Sequence, residues 1–188
     1  MIELQQPAEP LLLEAYRDHH PGLNHWGDEN FIPARTEVRH TLHREQQGLC
    51  VYCEGEIGPD EGHVEHIKSR SRYPERVFDF TNLAHSCDGR KHCGHFKDNN
   101  ILSIEPRPGC NSFFDLMATD GRLTSAVDLD EEDKKRADAT LQILGLNTPK
   151  LARLRQQFST VLRSLASDAE CEEFLQTSPF RWSLRGML

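Results

Sequence analysis

Residues 62–67 read GHVEHI, and they stand between two cysteine pairs, LCVYC at 49–53 and CDGRKHC at 87–93. Cys50 and Cys53 form a C-x-x-C pair, a spacing that lets two thiolates on a tight turn bind one tetrahedral ion. Cys87 and Cys93 can supply the other two ligands, and the five residues between them, Asp88 to His92, are expected to bulge as a basic loop. A lone C-x-x-C also suits a redox motif, but here no βαβ pattern surrounds it and the second pair begins 34 residues after Cys53. Four thiolates close a coordination sphere, so the expected ion, Zn²⁺, should hold the fold and do no chemistry.

Within GHVEHI, Glu65 and His66 stand side by side on a β-prone run. Neighbours on a strand point to opposite faces, which allows the two side chains different tasks. The carboxylate can hold a hard divalent cation, and the imidazole, near its working pKa at neutral pH, can take a proton from water. Asn82 follows sixteen residues after His66, in FTNL at 80–83, on a turn where an amide can brace the backbone. CGHFK at 93–97 then places His95 as a second ligand for the divalent ion. Taken singly, each of these residues also suits an ordinary core or surface position.

Around this segment the chain has 188 residues, 37% of them hydrophobic, enough for one ordinary core and a small metal-stapled lobe. No apolar stretch approaches the roughly 20 residues of a membrane span, and Ile2, Glu3 and Leu4 do not open a signal peptide. A cytoplasmic protein with no membrane association and reduced thiols is the expectation, with Cys110 and Cys171 as small buried residues. The net charge is −8, yet residues 63–99 carry +2, leaving −10 on the rest. Because grip on phosphate rests on Lys and Arg, a locally basic site on an acidic body points to a partner that helps hold nucleic acid.

Leu11 to His19 suits a short helix, His20 to Pro33 a loop, and Ala34 onward an amphipathic helix with Val38 and Leu42 inward and Gly48 as its stop. Val51 to Tyr52 and His63 to Ile67 are β-prone. Ile101 to Ile104 and Phe113 to Met117 read as short strands, and Asp120-Gly121 turns the latter into Arg122 to Val127. A helix from about Asp130 to Gly145 buries Ala137, Leu141 and Leu144. Thr148-Pro149 caps another, on which Leu151, Leu154, Phe158, Leu162 and Leu165 form an apolar stripe, a core face or a docking face for a partner. The expected class is α+β, mainly helical, in three parts: a helical segment over 1–48, a metal-bearing module over 49–100, and strands then helices over 101–188.

The order C-x-x-C, Glu-His on a strand, Asn-Leu, second cysteines, then His and Lys resembles the HNH (ββα-metal) endonuclease motif over Leu49 to Asn99. The resemblance implies a β-hairpin and helix clasping one Mg²⁺ or Mn²⁺, with the cysteine quartet replacing a larger core. It makes His66 the general base, Glu65 the metal ligand before it and Asn82 the residue that fixes the hairpin loop. His95 matches the second ligand position; Asn99 or Asp98 is the alternative, because Gly94 stands where many members have asparagine. Lys97, with Arg70 or Arg72, would hold flanking phosphates.

QQGLCVYCE at 46–54, EHIKS at 65–69, YPE at 73–75, the phrase from Phe78 to Cys87, and the late helix pair around 144–147 and 151–155 are similar to HNH proteins of retron and Septu anti-phage systems. That similarity, to the PtuB type, implies a DNA substrate and a PtuA-like ATPase subunit as partner; the helices from about Asp130 to Leu175 are the expected docking surface, because they carry the long apolar stripe and add no recognisable chemistry. The rival reading is a non-catalytic, zinc-stapled binding module, favoured by the acidic body and by Gly94.

Overall fold

The computed structural model describes every residue of the chain except 6, 23 and 24. In chain order the helices and strands are α1 (Leu11–His19), α2 (Ile32–Glu45), β1 (His63–His66), β2 (Leu83–Ser86), α3 (Cys93–Lys97), β3 (Phe114–Leu116), β4 (Leu123–Ser125), α4 (Glu131–Ile143), α5 (Pro149–Ser164), α6 (Asp168–Thr177) and α7 (Arg181–Arg185). The result is a mainly helical α+β fold whose sheets, among the described residues, are two small antiparallel pairs, β1–β2 and β3–β4. None of the described helices is long and apolar enough to cross a membrane.

Leu13 and Tyr16, one turn apart on α1, are buried where α1 meets α2. Helix α2 starts at Ile32, earlier than expected, because Pro33 falls in its first turn, where a missing N–H costs nothing. Part of the segment read as loop, His20 to Pro33, is therefore helical, with a 3-10 turn over Glu29–Phe31; residues 23 and 24 of it lie outside the described residues. Ala34, Val38 and Leu42 recur every four residues and face inward. With Trp26, Phe31, Val77, Phe78, Phe80 and Leu83 they form a first hydrophobic cluster behind β1–β2.

Gln46 ties the chain leaving α2 to the sheet. Its side-chain amide donates to the Leu49 and His85 carbonyls (2.8 Å each) and accepts from the His85 N–H (2.7 Å). Val51 and Tyr52 form no strand; they are buried in the turn that carries Cys50 and Cys53. Strand β1 pairs with β2 so that His63 faces Ser86 and His66 faces Leu83.

A second, larger cluster surrounds the cysteine turn and includes Leu49, Val51, Tyr52, Leu102, Ile104 and residues of α4 to α7. Leu151 and Leu162 are buried in it, and Leu154, Phe158 and Leu165 pack against it. Much of the stripe on α5 is therefore core, while Leu154 and Phe158, only partly buried, also line a groove of about 400 Å³ beside the cysteine turn. Ile101 to Ile104 is not a strand: no strand pairs with it, and the Ile104 N–H donates instead to the Thr140 hydroxyl at 3.2 Å. Phe113 to Met117 and Arg122 to Val127 pair as expected about Asp120-Gly121, over three residues each. Asp130 caps α4 by accepting from the Asp133 N–H, whereas the Thr148 hydroxyl makes no cap and has no partner. At the end of α4 the Cys93 N–H donates to the Leu144 carbonyl at 2.8 Å. Gly145 permits this approach: its φ is +57°, and a Cβ there would lie 2.5 Å from the Lys91 carbonyl oxygen.

Glu54, directly after Cys53, joins both ends of the chain to the cysteine turn. Its carboxylate takes the Met1 ammonium at 2.9 Å, with the two side chains 0% and 1% exposed. It also accepts from the Trp182 and Ser183 N–H groups (2.9 and 3.1 Å) and from the Ser183 hydroxyl (2.6 Å). Glu54→Ala would strand a buried ammonium together with the first N–H groups of α7. A loss of about 3–5 kcal/mol is expected in denaturant unfolding; an unchanged midpoint would mean that apolar contact alone holds the two termini.

Candidate active site

Four sulfurs meet at the root of the β1–β2 pair: Cys50 and Cys53 from the turn after α2, Cys87 after β2, and Cys93 at the start of α3. All four lie within 4.8 Å of one another. Cys53 and Cys87 are 3.9 Å apart, far beyond a disulfide. Ligands about 2.3 Å from a tetrahedral ion stand about 3.8 Å apart, so the cluster has the dimensions of a four-thiolate metal site. Donation from the Cys50, Cys53 and Cys93 thiols holds Cys87 far below the ordinary thiol range, while Cys53 and Cys93 are pushed well above it.

The other end of β1 opens on a cleft of about 510 Å³ lined by Glu65, His66, Arg70, His95 and Asn99, among others. Glu65 is buried there. The Lys97 ammonium lies 3.0 Å from its Oε1, and the Tyr52 hydroxyl donates to the same atom at 3.2 Å. Burial alone would raise the Glu65 carboxyl, but the His63 imidazole and the Lys97 ammonium outweigh it and hold the group below the ordinary carboxylate range. Oε2 faces His63, whose Nε2 lies 3.4 Å away. Behind His63, Asp88 Oδ1 sits 3.1 Å from its Nδ1 and 3.2 Å from His95 Nε2, and the two imidazole rings lie tilted by 35° with centres 4.2 Å apart. His63, Asp88 and His95 form a second group with the spacing of metal ligands.

His66 ends β1, which lets it reach the same cleft as Glu65. Its Nε2 donates to the Val77 carbonyl at 2.9 Å, leaving Nδ1 with the lone pair. Trp26 lies edge-on, 4.5 Å from the ring centre. Burial in this setting pushes the imidazole down to about 4, so His66 is neutral, in its base form, at pH 7. Asn82 is fully buried and grips the connection after β1. Its amide donates to the Lys68 and Arg76 carbonyls (3.0 and 3.3 Å), and its oxygen accepts from the Lys68 N–H at 2.8 Å. The Arg76 carbonyl is next to the Val77 carbonyl that orients His66, so Asn82 positions the imidazole through the loop.

Glu65, His66 and His95 thus come together at one cleft, with Asn82 beneath. Asn99 lies at the cleft edge, its Oδ1 accepting from the Ser71 hydroxyl at 2.6 Å, and Asp98 is exposed beside it. Arg70 lines the cleft, and Arg72 is exposed on the same connection. Lys97 differs from expectation. It is buried, and its three N–H donors are engaged by Glu65, the His66 carbonyl and the Asp98 carbonyl, so none remains for a phosphate. Sequence reasoning missed His63, Asp88 and Tyr52. The signal for His63 was available, since it stands two residues from Glu65 and so on the same face of the strand.

A strand pair and a short helix closed over an acid and an imidazole, with clustered cysteines at their root, define an HNH-like module. Comparison with known proteins gives the particular kinship: the chain is 33% identical, over 98% of its own length and 98% of the other's, to the "Retron Vc95 putative HNH endonuclease" of Vibrio cholerae serotype O1 biovar El Tor. The chain belongs to that retron-associated HNH family. No family model matches it.

Proposed function

We propose that the protein is a metal-dependent HNH endonuclease that hydrolyses phosphodiester bonds in DNA, working as the effector nuclease of an anti-phage defence complex with an ATPase of the PtuA kind. The observation that carries the reading is the pairing of an ionised, buried Glu65 with a neutral His66 at one cleft. In this reading Zn²⁺ occupies the four cysteines. Glu65 and one imidazole or amide of the cleft hold Mg²⁺ or Mn²⁺, His95 or Asn99 being the second ligand expected from sequence. That ion, when bound, supplies Lewis-acid stabilisation of the departing 3′ oxygen.

His66 Nδ1 accepts the proton of the attacking water, and Val77 and Asn82 keep that lone pair aimed into the cleft. Lys97 and Tyr52 hold Glu65 in place rather than contacting substrate. Arg70 and Arg72 offer exposed charges for the flanking phosphates. The acidic remainder of the chain, at −10, repels a duplex and supports a partner that presents it.

A plasmid-nicking assay tests the reading. Zinc-loaded protein is expected to nick DNA with Mg²⁺ or Mn²⁺ and not with EDTA, and to do so faster beside a co-purifying ATPase. Folded protein that cuts neither DNA nor RNA under any of these conditions would leave the binding-module reading in its place.

A further inference from the structure

We infer that His63 is the imidazole ligand that joins Glu65 on the divalent ion, taking the volume that a side chain at position 94 would fill, with Asp88 and His95 supporting it from outside the coordination shell. The inference rests on the ion-binding reading of the cleft given above.

The two carboxylate oxygens of Glu65 are not equivalent. Oε1 is engaged by the Lys97 ammonium at 3.0 Å and the Tyr52 hydroxyl at 3.2 Å, which leaves Oε2 as the oxygen turned toward an ion. His63 stands two residues back on β1 and therefore on the same face. Its Nε2 lies 3.4 Å from Oε2. Two donors each about 2.1 Å from one ion stand about 3.0–3.4 Å apart, depending on the angle between them, so one cation fits both atoms.

Gly94 accounts for the space. A Cβ there would lie 2.5 Å from Glu65 Oε2 and 2.7 Å from His63 Nε2, closer than real contacts allow. Any side chain at 94 would thus point at the two donor atoms, and the imidazole already occupies that volume. A ligand from position 94 and a ligand from position 63 exclude each other, and this chain has glycine at the former and histidine at the latter.

The surroundings of His63 complete the arrangement. Asp88 Oδ1, 3.1 Å from Nδ1, anchors that nitrogen and fixes Nε2 as the one facing Glu65, the carboxylate–histidine support typical of metal-binding imidazoles. His95 presents its Nε2 to the same Asp88 oxygen at 3.2 Å and lies tilted against the His63 ring, half exposed. Its role is to brace the pair.

Mn²⁺ titration of the zinc-loaded full chain, read by electron paramagnetic resonance with spin-echo detection of directly bound nitrogen, tests this. Wild-type protein is expected to bind Mn²⁺ with a nitrogen coupling. His63→Ala should abolish the coupling and weaken binding by more than the roughly 10–100-fold typical of losing an outer-shell partner. Asp88→Ala should weaken binding within that range, and His95→Ala should weaken it less; both should keep the coupling.

Gly94→Ala should weaken Mn²⁺ binding, because its Cβ crowds both Glu65 Oε2 and His63 Nε2. A coupling that survives His63→Ala and disappears in His95→Ala would overturn the assignment, as would wild-type affinity in Gly94→Ala; if His63→Ala loses its zinc and fold, His63→Gln, whose amide binds a hard cation through oxygen, is read for the coupling instead, and a retained coupling there overturns the assignment. Failure of the folded, zinc-loaded wild-type protein to bind Mn²⁺ at all would instead overturn the ion-binding reading itself.

Discussion

Cys50→Ser and Cys87→Ser are each expected to yield insoluble or unfolded protein without zinc. The four sulfurs come from three separate stretches of chain, and the turn that carries Cys50 and Cys53 lies inside the larger hydrophobic cluster, with Leu49, Val51 and Tyr52 buried around it. Release of the ion therefore loosens the middle of the molecule and not an appendage. Structural zinc contributes about 10–16 kcal/mol of apparent binding energy, and a whole domain of this kind is stable by only about 5–15 kcal/mol. No reserve covers the loss of a ligand. One zinc per chain by elemental analysis is the companion expectation. Soluble, cooperatively folding protein with no zinc, or a Cys50→Ser variant that melts like wild type, would show that the thiol cluster is incidental to the fold.

His66→Ala is expected to lower cleavage by about 10²–10⁴-fold in protein that still folds and keeps its zinc, since in the proposed mechanism the imidazole acts on the attacking water. Its pH dependence follows from its burial. Because the folded-state value is pushed down to about 4, the base form persists as pH falls from 7, and the acid limb of kcat/KM should lie well below that of a free imidazole. The same sign holds for stability. The neutral imidazole is favoured in the fold, so its contribution is complete above the free-imidazole range and is lost as pH drops toward about 4. Full cleavage by well-folded His66→Ala protein, or an acid limb near that of free histidine, would remove His66 from the role of base.

Much of the local structure was legible because local chemistry decides it. The four-residue recurrence of Ala34, Val38 and Leu42 and the Asp120-Gly121 turn need no distant partner to be read. Glu65 and His66 could be singled out from their spacing along the chain, and the fold brings both to one cleft. What escaped depends on who lies opposite. Ile101 to Ile104 has the composition of a strand, but a strand exists only where another edge pairs with it, and here Thr140 takes the N–H. Lys97 looks like a surface cation until the fold wraps Glu65 and two carbonyls around its ammonium. Asp88 counted only as one acid in a basic loop, since nothing along the chain says that His63 and His95 converge on it. The α5 stripe was readable as apolar, yet its partner, the cysteine turn about a hundred residues earlier, was not.

The edge-on contact between Trp26 and His66 gives the site an optical handle. An indole 4.5 Å from an imidazole is quenched when that imidazole gains a proton, because the cation accepts an electron from the excited ring. The chain has one other tryptophan, Trp182, which lies against Arg181 and Glu54 in the C-terminal helices and not against His66. Fluorescence of Trp26 therefore reports the protonation of the proposed base without label or substrate once Trp182 is replaced by phenylalanine and the adjacent His25 by glutamine.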